Sequence, residues 1–227
     1  RDVPLKGRID RVDAWQDGAV KYLRVIDYKT RGKAVSLQEV YYGLQLQLVL
    51  YLAAAVAKGG KPAGVFYFAI DDPLIRTPSR DPEEVEALRE KELKLDGLAL
   101  SDEKVLSAMS PRPEAVLGVG GRRNNLVSPE DFQLLMDHAA DLAGGALERI
   151  RAGDTSIKPA EWDGGDACAL CDFKSVCQIA PGLPGAEARR LPKIPDAEVI
   201  AQIREDAGLT SDGERDTVAR ESDETGG

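Results

Sequence analysis

Two runs rich in β-branched and aromatic residues, Lys6 to Trp15 and Lys21 to Lys29, meet at Asp17-Gly18. Asp-Gly between such runs predicts a hairpin, so the fold opens on two antiparallel strands. With Asp17-Gly18 at the centre of the turn, Asp10 falls opposite Val25 and Arg8 opposite Asp27. Residues directly opposite share a face, and the side-chain period along a strand is two. Asp10, Asp27 and Lys29 therefore project from one face, and a slip of one residue would part Asp10 from the other two.

Beyond the hairpin, Ser36 and Glu39 resemble a capping box, and Val40, Leu44, Leu48, Tyr51, Leu52 and Ala55 recur at helical spacing. One long helix is expected there, closed by Gly59-Gly60. Gly64 to Ile70 is almost wholly apolar and lies between Pro62 and Asp71-Asp72-Pro73, the signature of a buried central strand. Helical patterns at about Pro82 to Leu95 and Asp102 to Met109 precede a stretch without a readable pattern, Pro111 to Asn125. A further helix is expected after Ser128, with Pro129 in its first turn, reaching about Arg151 although Gly144-Gly145 weakens its middle.

The longest apolar run, Leu48 to Ala57, is far short of the roughly 18 residues a membrane span needs, so a soluble protein is expected. No secretory leader pattern opens the chain, and the first residue is Arg1, which reads as the C-terminal part of something longer. Cys168, Cys171 and Cys177 are the only cysteines; their odd number and clustering favour a metal or cofactor in a reducing, cytoplasmic compartment over a disulfide framework.

A net charge of −9 at first argues against a nucleic-acid partner, because Lys and Arg make the phosphate contacts. The distribution reverses that inference. From Asp196 to Gly227 ten acids face three arginines, so this segment carries −7, and it is expected to be an acidic, flexible tail. The first forty residues are net +3, where a polyanion could approach; scattered charges on a solvated face would look the same.

Two carboxylates beside a lysine are costly unless a cation separates the like charges. Mg²⁺ takes oxygen ligands, polarises a phosphoryl oxygen and lowers the pKa of a bound water, while a lysine offsets charge on the phosphorane. A surface salt bridge among Asp27, Lys29 and Arg8 would give the same spacing. Gln47 and Tyr51 are four apart, one above the other on a helical face, which also suits a tyrosine at the core edge.

Taken in order, Gly7-Arg8-Ile9-Asp10, Ile26-Asp27-Tyr28-Lys29-Thr30 and Gln47-Leu48-Val49-Leu50-Tyr51 resemble the successive motifs of the RecB-like PD-(D/E)XK nucleases. Val40 to Leu48 is especially similar to the AddB-type members, and the likeness extends from about Pro4 through the cysteines, weakly to Arg190-Leu191-Pro192. The resemblance implies a restriction-endonuclease-like α/β fold: a mixed sheet flanked by helices with a C-terminal iron–sulfur segment. It implies a Mg²⁺-dependent deoxyribonuclease in a helicase–nuclease complex for double-strand break processing, with DNA and an A-type motor subunit as partners. Asp10, Asp27 and the backbone carbonyl of Tyr28 would be metal ligands and Lys29 the catalytic lysine, while Gln47 and Tyr51 would position the site and the strand. A further ligand that family members carry on an earlier helix would lie before Arg1. The nuclease domain would span residues 1–195 and the tail 196–227.

Cys168-x2-Cys171-x5-Cys177 has ligand-like spacing, but soft four-coordinate sites generally need a fourth donor. The resemblance implies a 4Fe–4S cluster whose fourth cysteine lies upstream; a zinc site would recruit His138 or Asp172. His138 otherwise reads as an ordinary surface or core-edge residue. Rival readings are a CRISPR-adaptation-type Fe–S exonuclease of the same superfamily, a non-catalytic DNA-binding scaffold, and a zinc-stabilised interaction module. No Gly-x-x-x-x-Gly-Lys-Ser/Thr loop occurs, so this chain is not itself an ATP motor.

Overall fold

In the computed structural model the hairpin forms as β1 (Arg11–Asp17) and β2 (Val20–Lys29), antiparallel. The structure describes residues 6–30, 32–70, 74–110, 126–163, 165–169, 171–179 and 188–209. The turn is centred one residue later than the sequence suggests. Gly18 takes φ 58° while Ala19 stays out of the left-handed region, as in a two-residue turn with glycine first, and Asp17 pairs with Val20. Arg11 consequently faces Ile26. Asp10 therefore stands across from Asp27 rather than Val25, and Arg8 moves off Asp27. Because the displacement is two residues, side-chain parity survives and Asp10, Asp27 and Lys29 stay on one face.

The expected long helix is two. Ser36 caps α1 (Leu37–Tyr41) by accepting the Glu39 N–H, and α2 (Gln47–Val56) follows after a break. Gly43 makes the break: at φ 79° it donates to the Val40 carbonyl while the Leu44 N–H reaches back to Glu39, a Schellman ending. The apolar run expected to be a central strand is β3 (Lys61–Ala69), third of five, parallel to β2.

Helix α3 (Pro82–Glu92) stops short of Leu95 because Leu95–Leu100 is β4, a strand that periodicity alone did not separate from the helical pattern. Asp102 caps α4 (Glu103–Met109), and β5 (Leu126–Val127) completes a sheet of order β1-β2-β3-β4-β5 with both parallel and antiparallel pairs. The stretch 111–125 lies outside the described residues. Helix α5 (Pro129–Arg151) runs through Gly144-Gly145, with Phe132, Leu135, Met136 and Ala139 buried at helical spacing.

A second, three-stranded sheet orders β7 (Gly165–Asp166), β6 (Ala160–Trp162) and β8 (Arg189–Leu191), with the short α6 (Lys174–Cys177) nearby in sequence. The acidic segment begins as structure: Asp196–Asp206 forms α7, with Val199 and Ile203 buried. The boundary at 196 thus falls in front of a packed helix, and the segment from 210 onward lies outside the described residues.

Alternation along β2 and β3 sorts the core. Val25, Val65, Tyr67, Leu98 and Leu100 meet the apolar faces of α1, α2, α5 and α7, while Ile26, Phe66 and Ala99 on the other face meet Leu106 and Met109 of α4. The sheet is covered on both sides, and the Asp27 row lies on the side of α2. Among the described residues no helix is long and apolar enough to cross a membrane.

Candidate active site

Asp27 is the penultimate inward residue of β2, following Leu23 and Val25 on the same face, and it is only 3% exposed. A carboxylate buried this far needs partners. Its Oδ1 accepts a hydrogen bond from Gln47 Nε2 at 3.1 Å, from the first turn of α2. Its Oδ2 lies 2.5 Å from Lys29 Nζ, two residues on along the strand, yet accepts no well-directed hydrogen bond. The ion pair is thus close in distance but leaves one buried carboxylate oxygen short of a donor.

Asp10 reaches the same place from the lead-in to β1. The ladder ends at Arg11 and Ile26, and beyond it Asp10 Oδ2 accepts the N–H of Tyr28 at 3.1 Å. This bond ties the two acidic segments together and sets the Tyr28 backbone between them. The Tyr28 side chain leaves on the opposite face, edge-on to Phe68. Tyr51, one turn beyond Gln47, accepts a long bond from Gln47 Nε2 at 3.4 Å. Its ring packs so tightly on Gly7 that a Cβ there would lie 2.8 Å from Cε1. Tyr51 therefore steers the segment that carries Asp10 onto α2.

The structure brings together all five side chains that the sequence singled out, and adds two that it did not. Tyr67 is the register partner of Asp27 on β3, and Asp96 is the partner of Tyr67 on β4, so the three form one row across the sheet. Tyr67 is 2% exposed and its hydroxyl is buried without a partner. Burial, then the charges of Asp27 and Glu39, push that hydroxyl up to about 12, so it stays protonated. Lys29 Nζ and Lys33 Nζ lie 5.4 and 5.0 Å from the centre of the Tyr67 ring. Neither residue had a local signal: Tyr67 sits in an apolar run and reads as core, while Lys33 sits in a loop.

Asp10 and Asp27 offer hard oxygen donors, and the under-bonded Oδ2 of Asp27 is the kind of atom a divalent cation satisfies. The donor chemistry fits Mg²⁺ with waters completing the shell, although no group of three or more His, Cys, Asp and Glu among the described residues forms a ready cage.

The three cysteines are half-buried and free of disulfides. Cys168 follows β7, its N–H bonded to Asp166 Oδ1 at 2.7 Å; the Cys171 N–H reaches Cys168 O, and Cys177 ends α6. Among the described residues they are not drawn into a closed ligand set. His138 lies far from them in the chain, on α5, stacked on Tyr41 with its Nε2 2.9 Å from the Tyr41 carbonyl. That is a core-edge role.

Residues 1–178 match the model of the PD-(D/E)XK nuclease superfamily. Curated relatives are named as the B-type subunit of an ATP-dependent helicase/deoxyribonuclease. The protein from Alkaliphilus metalliredigens is 33% identical over 221 residues, covering 89% of this chain and 19% of its own length. That from Clostridium tetani is 36% identical over 222 residues, 90% of this chain and 19% of its own. That from Acetivibrio thermocellus reaches 38% over 195 residues, 78% and 17% respectively. The chain spans about a fifth of the length of the curated relatives it matches.

Proposed function

Because the chain belongs to the PD-(D/E)XK nuclease superfamily, we propose that it is a Mg²⁺-dependent nuclease domain that hydrolyses DNA phosphodiesters. The observation that carries this reading is the buried Asp27 carboxylate, fixed by Gln47, faced by Lys29 and joined from across the hairpin by Asp10. A stability role alone does not call for a buried acid with an under-bonded oxygen.

Asp10 and Asp27, with the Tyr28 carbonyl, hold the cation in this proposal. When bound, Mg²⁺ polarises a phosphoryl oxygen and lowers the pKa of a water. Lys29 orients the attacking water and offsets the charge that builds on the phosphorane. Gln47 keeps the Asp27 carboxylate from rotating, and Tyr51 holds the Asp10 segment and the strand in place. The names of the relatives support a wider setting: a helicase–nuclease complex with a motor subunit, acting in double-strand break processing. The cysteines supply soft donors suited to a 4Fe–4S cluster together with a donor beyond these three. Such a cluster would be structural, and the hydrolysis does not pass through it.

The test is Mg²⁺-dependent degradation of labelled single- and double-stranded DNA by the whole protein, compared with Asp27→Asn and Lys29→Ala. Asp27→Asn, near-isosteric, should keep the fold and lose cleavage. Lys29→Ala should lose about 10²–10⁴-fold in rate. A folded parent protein that binds DNA and never cuts it would replace this reading with a DNA-binding scaffold.

A further inference from the structure

Lys33 belongs to no motif, yet the fold holds it at the site. It lies in the loop between β2 and α1, exposed, with its ammonium 5.0 Å from the centre of the Tyr67 ring. The same ring carries Lys29 at 5.4 Å, and Tyr67 is the strand neighbour of Asp27. Both distances lie within the roughly 6 Å of a cation–π contact. The two ammonium groups differ in one respect. Lys29 is committed to Asp27, whereas among the described residues Lys33 forms no ion pair.

The loop is built to keep Lys33 there. Gln45, in the break between α1 and α2, is only 5% exposed. Its Nε2 donates to the Ala34 carbonyl at 3.1 Å and to Glu39 at 3.3 Å, and its Oε1 accepts the Ser36 N–H at 3.0 Å. The Val35 N–H donates to Asp96 at 3.2 Å, the far end of the Asp27–Tyr67–Asp96 row. Residues 34–36 are thus pinned to both the helix break and the sheet, and Lys33 precedes them directly. A free lysine would remain in solvent; here an uncommitted cation is held beside a carboxylate that the reaction requires.

Resting on the nuclease reading, we propose that Lys33 is a further substrate-binding residue, whose ammonium contacts a backbone phosphate of the strand at the Asp27–Lys29 site. Tyr67 and Gln45 are its positioning residues. Lys33 supplies binding and register, and Lys29 supplies chemistry, so the two lysines separate in kinetics. A point charge on a phosphate carries no sequence information, so the contact is the same for every DNA sequence.

The experiment uses the whole protein and a labelled single-stranded oligonucleotide without ATP. Binding is measured without Mg²⁺ across a salt series, and cleavage with Mg²⁺ at limiting and saturating DNA. Lys33→Ala should lower the slope of log K against log salt by about 0.7 and raise KM several-fold, with kcat retained. Lys33→Arg should restore the slope. Tyr67→Leu should reproduce the Lys33→Ala slope, and Tyr67→Phe, which keeps the ring, should restore it. Lys58→Ala, an exposed lysine just beyond the other end of α2, is the control. If Lys33→Ala matches Lys58→Ala in slope and KM while Asp27→Asn abolishes cleavage, only this inference falls. Cleavage that survives Asp27→Asn would remove the nuclease reading beneath it as well.

Discussion

Gln47 is the residue on which the state of Asp27 turns. It gives the buried carboxylate a directed hydrogen bond, and it does so from the first turn of α2, so helix and strand position each other. Removing one partner of a buried hydrogen bond leaves the other unsatisfied, at about 1–3 kcal/mol. Gln47→Ala should therefore lower the unfolding free energy by that amount and also slow cleavage, because a carboxylate released from one donor rotates toward Lys29. Denaturant unfolding and single-turnover rates measure the two effects. A variant as stable and as fast as the parent would show that Gln47 does not hold Asp27. At this scale Asp10, Asp27, Lys29, Gln47 and Tyr51 were legible in the sequence, since strand period and helical spacing are local. Tyr67 and Lys33 were not, because what places them is the β2–β3 pairing and the loop fixed by Gln45, both contacts between distant segments.

The hairpin and the helix pair teach opposite lessons about elements. In the hairpin the turn was misplaced by one residue, and parity nevertheless kept the acids on one face, because period two makes a two-residue displacement harmless to facing. In the helix the apolar spacing was right on both sides, yet the element was two, because spacing does not register a Schellman ending at Gly43. That break has a use: it frees Gln45 to turn inward. The hairpin also carries a pH signature. Asp13 faces Arg24 across the ladder at 2.9 Å and Arg11 at 2.7 Å along the strand. Burial pushes the Asp13 carboxyl up, but the hydrogen bonds from Arg11 and Arg24 together outweigh it and hold the group below its ordinary 3.8. A carboxyl with a depressed folded pKa contributes stability that is fully present above its unfolded value and is lost as pH falls through the folded one. The stability gap between the parent and Asp13→Asn should therefore be flat well above pH 3.8 and close on acidification below it, as followed by unfolding at several pH values. A gap independent of pH would mean that the arginines do not stabilise the charged form.

The whole molecule is closed by the helix that composition disguised. Acids crowd the segment from Asp196 on, which reads as a solvated tail, but Val199 and Ile203 stand four apart and are 0% and 1% exposed. A single i,i+4 pair in eleven residues is too little signal beside that charge. The docking of α7 is reinforced by Tyr41 donating to Asp206 at 2.8 Å and by an ion pair of Arg204 with Asp131, while Gln38 accepts the Ile194 N–H at 3.1 Å just before the helix. Helix α1, which Tyr41 ends, leads directly into the Gly43 break and Gln45. A path of packed contacts therefore runs from α7 through α1 to the loop carrying Lys33. Replacing Ile203 by alanine should cost about 2–5 kcal/mol at its site. Since local opening is governed by local stability, amide exchange in α7 should quicken roughly 30-fold or more, and α1 should follow by a smaller factor. The central strands β2 and β3, held by the other helices, should keep their protection. If α7 alone loosens, the helix is an appendage; if α1 loosens with it, the C-terminal helix is part of the support of the site.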